Sequence, residues 1–131
     1  MKRTKTAPVR VATTYAAIVG MLIIEMRNSR KKQQSYLAKI IGVTQSTWSR
    51  IENGTSPLSV THLATVCWAL NDTPEELLKR VGNAVKYLEA RNIYVVMDEV
   101  KNENNVFITG KRLGNVLALP AMLTRIAKVM E

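Results

Sequence analysis

The sequence predicts a mainly α-helical protein: a five-helix domain followed by a small C-terminal lobe of a β-hairpin plus a helix. Three observations carry that expectation. Over residues 34–53 the apolar residues fall at Leu37, Ala38, Ile41, Val43, Trp48 and Ile51. That spacing lets two short helices cross steeply and bury one seam. Thr73-Pro74-Glu75-Glu76 sets a cap hydroxyl, a proline at the first helical position and an acid three residues after the cap, a strong helix start. After Asn92 the period changes, because Ile93-Tyr94-Val95-Val96-Met97 is β-branched and aromatic and reads as a buried strand.

Taken in order, residues 1–14 read as a basic arm, with Lys2, Arg3, Lys5 and Arg10 around Pro8. Ile18, Met21, Leu22 and Met26 mark a first helix from about Tyr15 to Arg27. Gly42 can take the positive φ that ends the second helix, and Ala38 is small enough for a close crossing. Thr44 is the expected N-cap of the third helix and Asn53-Gly54 its stop. Ser59 caps a fourth helix holding Val60, Leu63, Ala64, Cys67 and Leu70; Thr73 opens a fifth along Leu77, Leu78, Val81, Val85 and Leu88. Gly82 inside the fifth costs about 1 kcal/mol relative to alanine unless close packing explains it. Val106-Phe107-Ile108-Thr109 reads as the returning strand, ended by Gly110. A last helix carries Leu119, Met122, Leu123, Ile126 and Met130; Pro120 either starts it or kinks it away from a short helix over Leu113 to Leu117. The domain organisation is therefore an arm at 1–14, a helical domain at 15–84 and a lobe at 85–131.

Of the 131 residues 47% are apolar, enough for a core, and the net charge is +9. The charge is unevenly placed. Residues 1–71 hold ten Lys/Arg against Glu25 and Glu52, whereas residues 72–131 hold nine against eight acids. The excess therefore sits on the half that carries the crossed helices, where a polyanion would bind. The apolar run Ala16–Ile24 is too short for a bilayer, which needs roughly 20 residues, and no signal-type cleavage site follows it. One cysteine, Cys67, rules out an internal disulfide and most metal clusters. A cytoplasmic protein is the simplest case. His62 stands alone, and no nucleophile, base or phosphate-cradling loop is recognisable, so neither catalysis, metal nor cofactor is expected.

The face left outward on the third helix is Gln45, Ser46, Ser49 and Arg50. Amide, hydroxyl and guanidinium groups are those that pair with base edges in a major groove, so residues 34–53 read as a DNA-binding helix-turn-helix. In order, Gln34, Leu37, Ala38, Gly42 and Val43, then Ser49-Arg50-Ile51-Glu52-Asn53-Gly54, then Pro57, Ser59, Leu63, Leu70 and Pro74-Glu75-Glu76-Leu77 resemble the lambda-repressor-like, or XRE-type, regulators. The resemblance covers about residues 16–80. It implies a five-helix DNA-binding domain in which Gln45 and Ser46 meet base edges and Ser49 and Arg50 lie one turn on. Gln34 and the backbone at its helix start would hold a phosphate, and the loop after Gly54 would touch the sugar-phosphate chain. The expected phosphate set is Gln34, Arg30, Lys31, Lys32, Thr44, Asn53 and Thr55. Three features depart from the family pattern: Trp48 stands at a core place usually given to a smaller branched residue, Lys32-Gln33 replace the usual apolar residue and cap, and residues beyond 80 have no counterpart.

For Arg50, guanine contact, phosphate contact and a salt bridge to Glu52 or Glu25 compete. The run Arg30-Lys31-Lys32 is either a solvated face or a backbone-binding patch, and the arm is either a minor-groove ligand or a solubilising tail. Trp48 reads as core, Cys67 as a small core residue and His62 as surface. Residues 85–131 are expected to form a homodimer interface, the alternative being that they fold back on their own domain. The function expected is a sequence-specific transcriptional regulator, a homodimeric repressor on a palindromic operator in double-stranded DNA. The alternative is an antitoxin-like protein whose C-terminal half binds a small protein partner. An effector-sensing role ranks lower, because about 50 residues leave little room for a pocket of roughly 300 Å³.

Overall fold

The computed structural model describes residues 10–97 and 105–117. The chain runs β1 (Arg10–Thr14), α1 (Tyr15–Ser29), α2 (Gln34–Ile41), α3 (Gln45–Asn53), α4 (Val60–Ala69), α5 (Pro74–Glu89), β2 (Tyr94–Val96), β3 (Asn105–Phe107) and α6 (Gly110–Leu117). The cap residues that the sequence marks act as expected. The hydroxyls of Thr44, Ser59 and Thr73 accept from the backbone N–H of Thr47, His62 and Glu76, and Thr14 does the same for Ala17. Each satisfies one of the orphan donors at a helix start. Only α2 among these first five helices begins without a side-chain cap, at Gln33.

All five of these helices end alike. The residue after the C-terminal turn is left-handed at Lys31, Gly42, Gly54, Asn71 and Asn92. The next N–H reaches back five residues, Lys32 to Arg27 (3.0 Å), Val43 to Ala38 (2.9 Å), Thr55 to Arg50 (2.9 Å), Asp72 to Cys67 (2.8 Å) and Ile93 to Leu88 (3.0 Å). This closure satisfies the last carbonyls. Lysine at such a position is unusual, since its Cβ crowds the carbonyl there.

α1 is the centre of the fold and is apolar nearly all round. Ile18, Leu22 and Ile23 are fully buried, and the helix packs on α3, α5 and α6. Leu37, Trp48, Leu70, Leu77 and Leu88 complete one shared core. α4 turns differently from the expectation. Its buried residues are Val66 and Cys67, with Leu70 at its end, whereas Val60 and Ala64 face outward. Leu78 of α5 is also exposed. Among the described residues no helix is long and apolar enough to cross a membrane.

The strands correct the sequence reading in their pairing. β2 and β3 lie near the expected places but do not form a hairpin. Both run parallel to β1, which sits between them in the order β2-β1-β3. Ala12, Thr13 and Thr14 pair with Tyr94, Val95 and Val96, and Arg10, Val11 and Ala12 with Asn105, Val106 and Phe107. Thus residues 10–14 belong to a central strand, not to a free arm, and Ala12, Thr13 and Thr14 are buried. A parallel pair needs a long crossover, and the β1-to-β2 crossover here is the whole five-helix unit. Gly110 starts α6 rather than closing a strand. The proposed last helix over 119–130, the turn at 98–104 and Lys2, Arg3 and Lys5 lie outside the described residues.

Candidate nucleic-acid interface

α3 separates two chemistries. Trp48 and Ile51 face the core, Ser49 is half-buried, and Gln45, Ser46 and Arg50 are exposed. The exposed side is ordered by its own hydrogen bonds. Arg50 donates from Nη1 to Ser46 Oγ (3.0 Å) and from Nη2 to Thr47 Oγ1 (3.2 Å), and Thr44 Oγ1 donates to Thr47 Oγ1 (3.1 Å). The guanidinium is therefore held along the helix and not paired with Glu52 or Glu25. Two hydroxyls leave its charge uncompensated, so it stays available to an anion or a base edge.

Glu52 is the residue that the sequence reading missed. Its carboxylate is fully buried and accepts from Arg27 Nε (2.6 Å) and Nη2 (3.2 Å), Gln34 Nε2 (2.7 Å) and Trp48 Nε1 (2.7 Å). One acid thus ties α1, α2 and α3 together. A buried charge persists when it is paired and its remaining lone pairs are satisfied, and four donors do so. A signal for this existed: Glu52 is one of two acids in the first 71 residues and sits between apolar Ile51 and a helix stop. The backbone of the same residue is hemmed in. A Cβ on Gly20 of α1 or on Gly110 of α6 would lie 2.1 Å from the Glu52 carbonyl oxygen.

The expected phosphate set is partly engaged within the protein. Gln34 holds Glu52. Arg30 donates from Nε to the Leu70 carbonyl (2.9 Å) and from Nη2 to that of Asn71 (3.5 Å), at the end of α4. Thr44 caps α3, Thr55 Oγ1 donates to the Arg50 carbonyl (3.2 Å), and Asn53 Oδ1 accepts from the Lys111 backbone (3.2 Å). Lys31 and Lys32 are exposed, with the Lys32 ammonium 4.6 Å from the Tyr36 ring centre. These two cations flank the uncapped start of α2. One further cation enters the site from outside the crossed helices: Lys111 of α6 donates from Nζ to Ser49 Oγ at 3.0 Å.

Residues 23–83 match the pattern of the Cro/C1-type helix-turn-helix DNA-binding domain. That segment is a Cro/C1-type DNA-binding domain. The strands β1, β2 and β3 and the helix α6 lie outside the matched residues. Two crystal structures of the clp gene regulator ClgR from Corynebacterium glutamicum share the fold. One is 22% identical with a TM-score of 0.56, covering 59% of this chain and 82% of that one. The other is 23% identical with a TM-score of 0.50, covering 53% and 91%. No curated protein matches the chain.

Between α1, the end of α3 and α6 lies an open cavity of about 450 Å³, lined by Met21, Ile24, Glu25, Arg27, Glu52 and Lys111 among others. The sequence reading allowed little room for such a space. Burial pushes the Glu25 carboxyl above its usual range, partly offset by the Arg80 guanidinium.

Proposed function

We propose that the protein is a sequence-specific transcriptional regulator that acts as a homodimeric repressor, occupying a palindromic operator and excluding polymerase. The observation that carries the reading is the polar face of α3. Gln45, Ser46, Ser49 and Arg50 meet base edges, Gln45 as the residue whose amide can pair bidentately with adenine. Lys31, Lys32, Thr55 and the uncapped amides of α2 hold phosphates, a helix start being a ready anion site. Arg30, Gln34, Thr44 and Asn53 act mainly by fixing the elements that carry those groups.

For the dimer contact we favour α4 over the expected lobe at 85–131, of which residues 98–104 and 118–131 lie outside the described residues. Residues 94–96 and 105–117 pair with β1 and pack on α1 and α3 of their own chain. Among the described residues α4 carries an exposed apolar stripe of Val60, Ala64 and Trp68, at i, i+4 and i+8, with Val60 83% and Trp68 80% exposed. An isologous pair uses one such patch twice, and an exposed aromatic anchor is the usual centre of an interface.

Selection of binding sites from random duplexes tests both parts. A twofold-symmetric consensus with half-sites about one helical turn apart is expected. Gln45→Ala should change the preferred base at one position in each half-site, and Trp68→Lys should convert the protein to a monomer in sedimentation. Absence of any sequence preference at modest ionic strength overturns the proposal.

A further inference from the structure

Lys111 lies outside the helix-turn-helix in sequence yet touches its reading helix. Its backbone position is fixed at several points. Ile108 N–H donates to the Ala12 carbonyl (2.9 Å) and Thr13 Oγ1 to the Ile108 carbonyl (2.8 Å), which ties the residue after β3 to β1. Gly110 then approaches the Glu52 carbonyl so closely that no side chain fits, and Lys111 N–H donates to Asn53 Oδ1. The side chain of Lys111 is exposed and its ammonium rests on Ser49 Oγ, 3.0 Å away. An ammonium carries three donors and no acceptor, so two remain for another group beside α3.

The charge on α3 makes this position informative. Gln45, Ser46 and Ser49 are neutral, the Glu52 carboxylate is neutralised by Arg27, and Arg50 is the sole cation of the helix. We infer that Lys111 is part of the DNA-binding surface and contacts a backbone phosphate at the groove edge beside Ser49. The inference rests on the reading that α3 enters a major groove. Lysine is a compact point charge suited to phosphate rather than to a planar fork, and Ser49 lies a turn beyond the residues that enter the groove first. The short sheet and α6 then have a role in binding: they deliver a cation that the Cro/C1-type domain alone lacks.

The test uses the full chain and the duplex that the wild type selects from a random pool. Lys111→Ala, Lys111→Arg and wild type are compared by titration at several salt concentrations, with melting temperatures to show that the exposed substitution leaves the fold intact. Loss of one phosphate contact should lower the slope of log K against log salt by about 0.9. If the contact vanishes near 1 M salt, that slope corresponds to about eightfold weaker binding at 0.1 M, alike for selected and scrambled duplexes. Lys111→Arg should restore the slope. Wild-type affinity and slope in Lys111→Ala overturn the inference, and so does a loss confined to one base pair with the slope unchanged. Those outcomes leave the proposed function standing as long as the wild type still selects a site and Gln45→Ala still alters its preference. A wild type without preference overturns both.

Discussion

Replacing Glu52 by glutamine removes a charge while keeping shape. The native carboxylate has no exposed surface and receives four N–H donors, two from Arg27, one from Gln34 and one from Trp48. In Glu52→Gln one oxygen becomes an NH2 group and meets donors where it needs acceptors. The Arg27 side chain, only 13% exposed, keeps its charge with no counterion. Breaking a buried pair from one side costs about 3–5 kcal/mol, a large share of the roughly 5–15 kcal/mol that holds a domain folded. With an unfolding entropy of about 2.1 cal/mol/K per residue, that loss lowers Tm by about 10–20 °C. Thermal and urea melts followed by tryptophan emission measure it. The reasoning makes a second demand. Arg27→Met with Glu52→Leu removes both charges, so the double variant should be more stable than either single one. A Glu52→Gln variant melting within about 2 °C of wild type, or a double variant as unstable as the sum of the singles, would refute the account.

Four other outcomes follow from single positions. Gly82 lies inside α5 at ordinary φ with nothing within 4 Å of a Cβ, so Gly82→Ala should raise stability by about 0.5–1 kcal/mol in urea melts. Lys31 pays for a left-handed backbone (φ 56°); Lys31→Gly should therefore stabilise the fold by up to about 1 kcal/mol yet weaken DNA binding, two effects that melts and titrations read separately. Glu25 has a carboxyl whose affinity for protons is raised by burial, so the folded state holds its proton more tightly than the unfolded chain does. Stability from that group is complete below its ordinary pKa of 4.5 and is lost as pH rises through the higher folded value. Glu25→Gln should thus gain Tm over wild type at pH 7 and lose that gain below pH 4.5. Gly20→Ala puts a Cβ 2.1 Å from a backbone oxygen, where no flexible neighbour can yield; a loss of about 3 kcal/mol or more is expected in denaturant melts.

Local chemistry explains which features were readable from sequence. Caps and stops involve residues three to five apart, and Thr44, Ser59, Thr73, Gly42 and Gly54 all perform the roles that their types suggest. Pairing of β1 is different. Its partners lie more than 80 residues away, and five residues beginning with Arg10, after a basic stretch, resemble an arm more than a strand. The facing of α4 was ambiguous for a related reason. Val60, Leu63, Ala64, Cys67 and Leu70 share a helical stripe, but which edge of it is covered depends on the helices packed against it. Arg50 offered three partners on paper. The structure resolves part of that choice, because Arg27, isolated at the end of an apolar helix, takes the acid first.

The same physics explains why α3 is held more firmly than crossed helices alone would require. Its acid is gripped by side chains of α1 and α2, and its last carbonyls are approached from one side by Gly20 and from the other by Gly110. A helix that reads base edges must be positioned to a fraction of an ångström, and sites gain that accuracy from rigid neighbours more than from their own length. α3 has only nine residues, too few to be stable in isolation. Its two restraints also differ in origin. The Glu52 cluster lies within the Cro/C1-type domain, while Gly110 comes from a segment fastened through β1, so the strand before α1 contributes to where the reading helix stands without approaching it. Removing residues 105–131 would leave the acid cluster intact and take away the α6 wall, loosening α3 from one side only. The β1–β3 pairing is thereby linked to the geometry of the DNA-binding face.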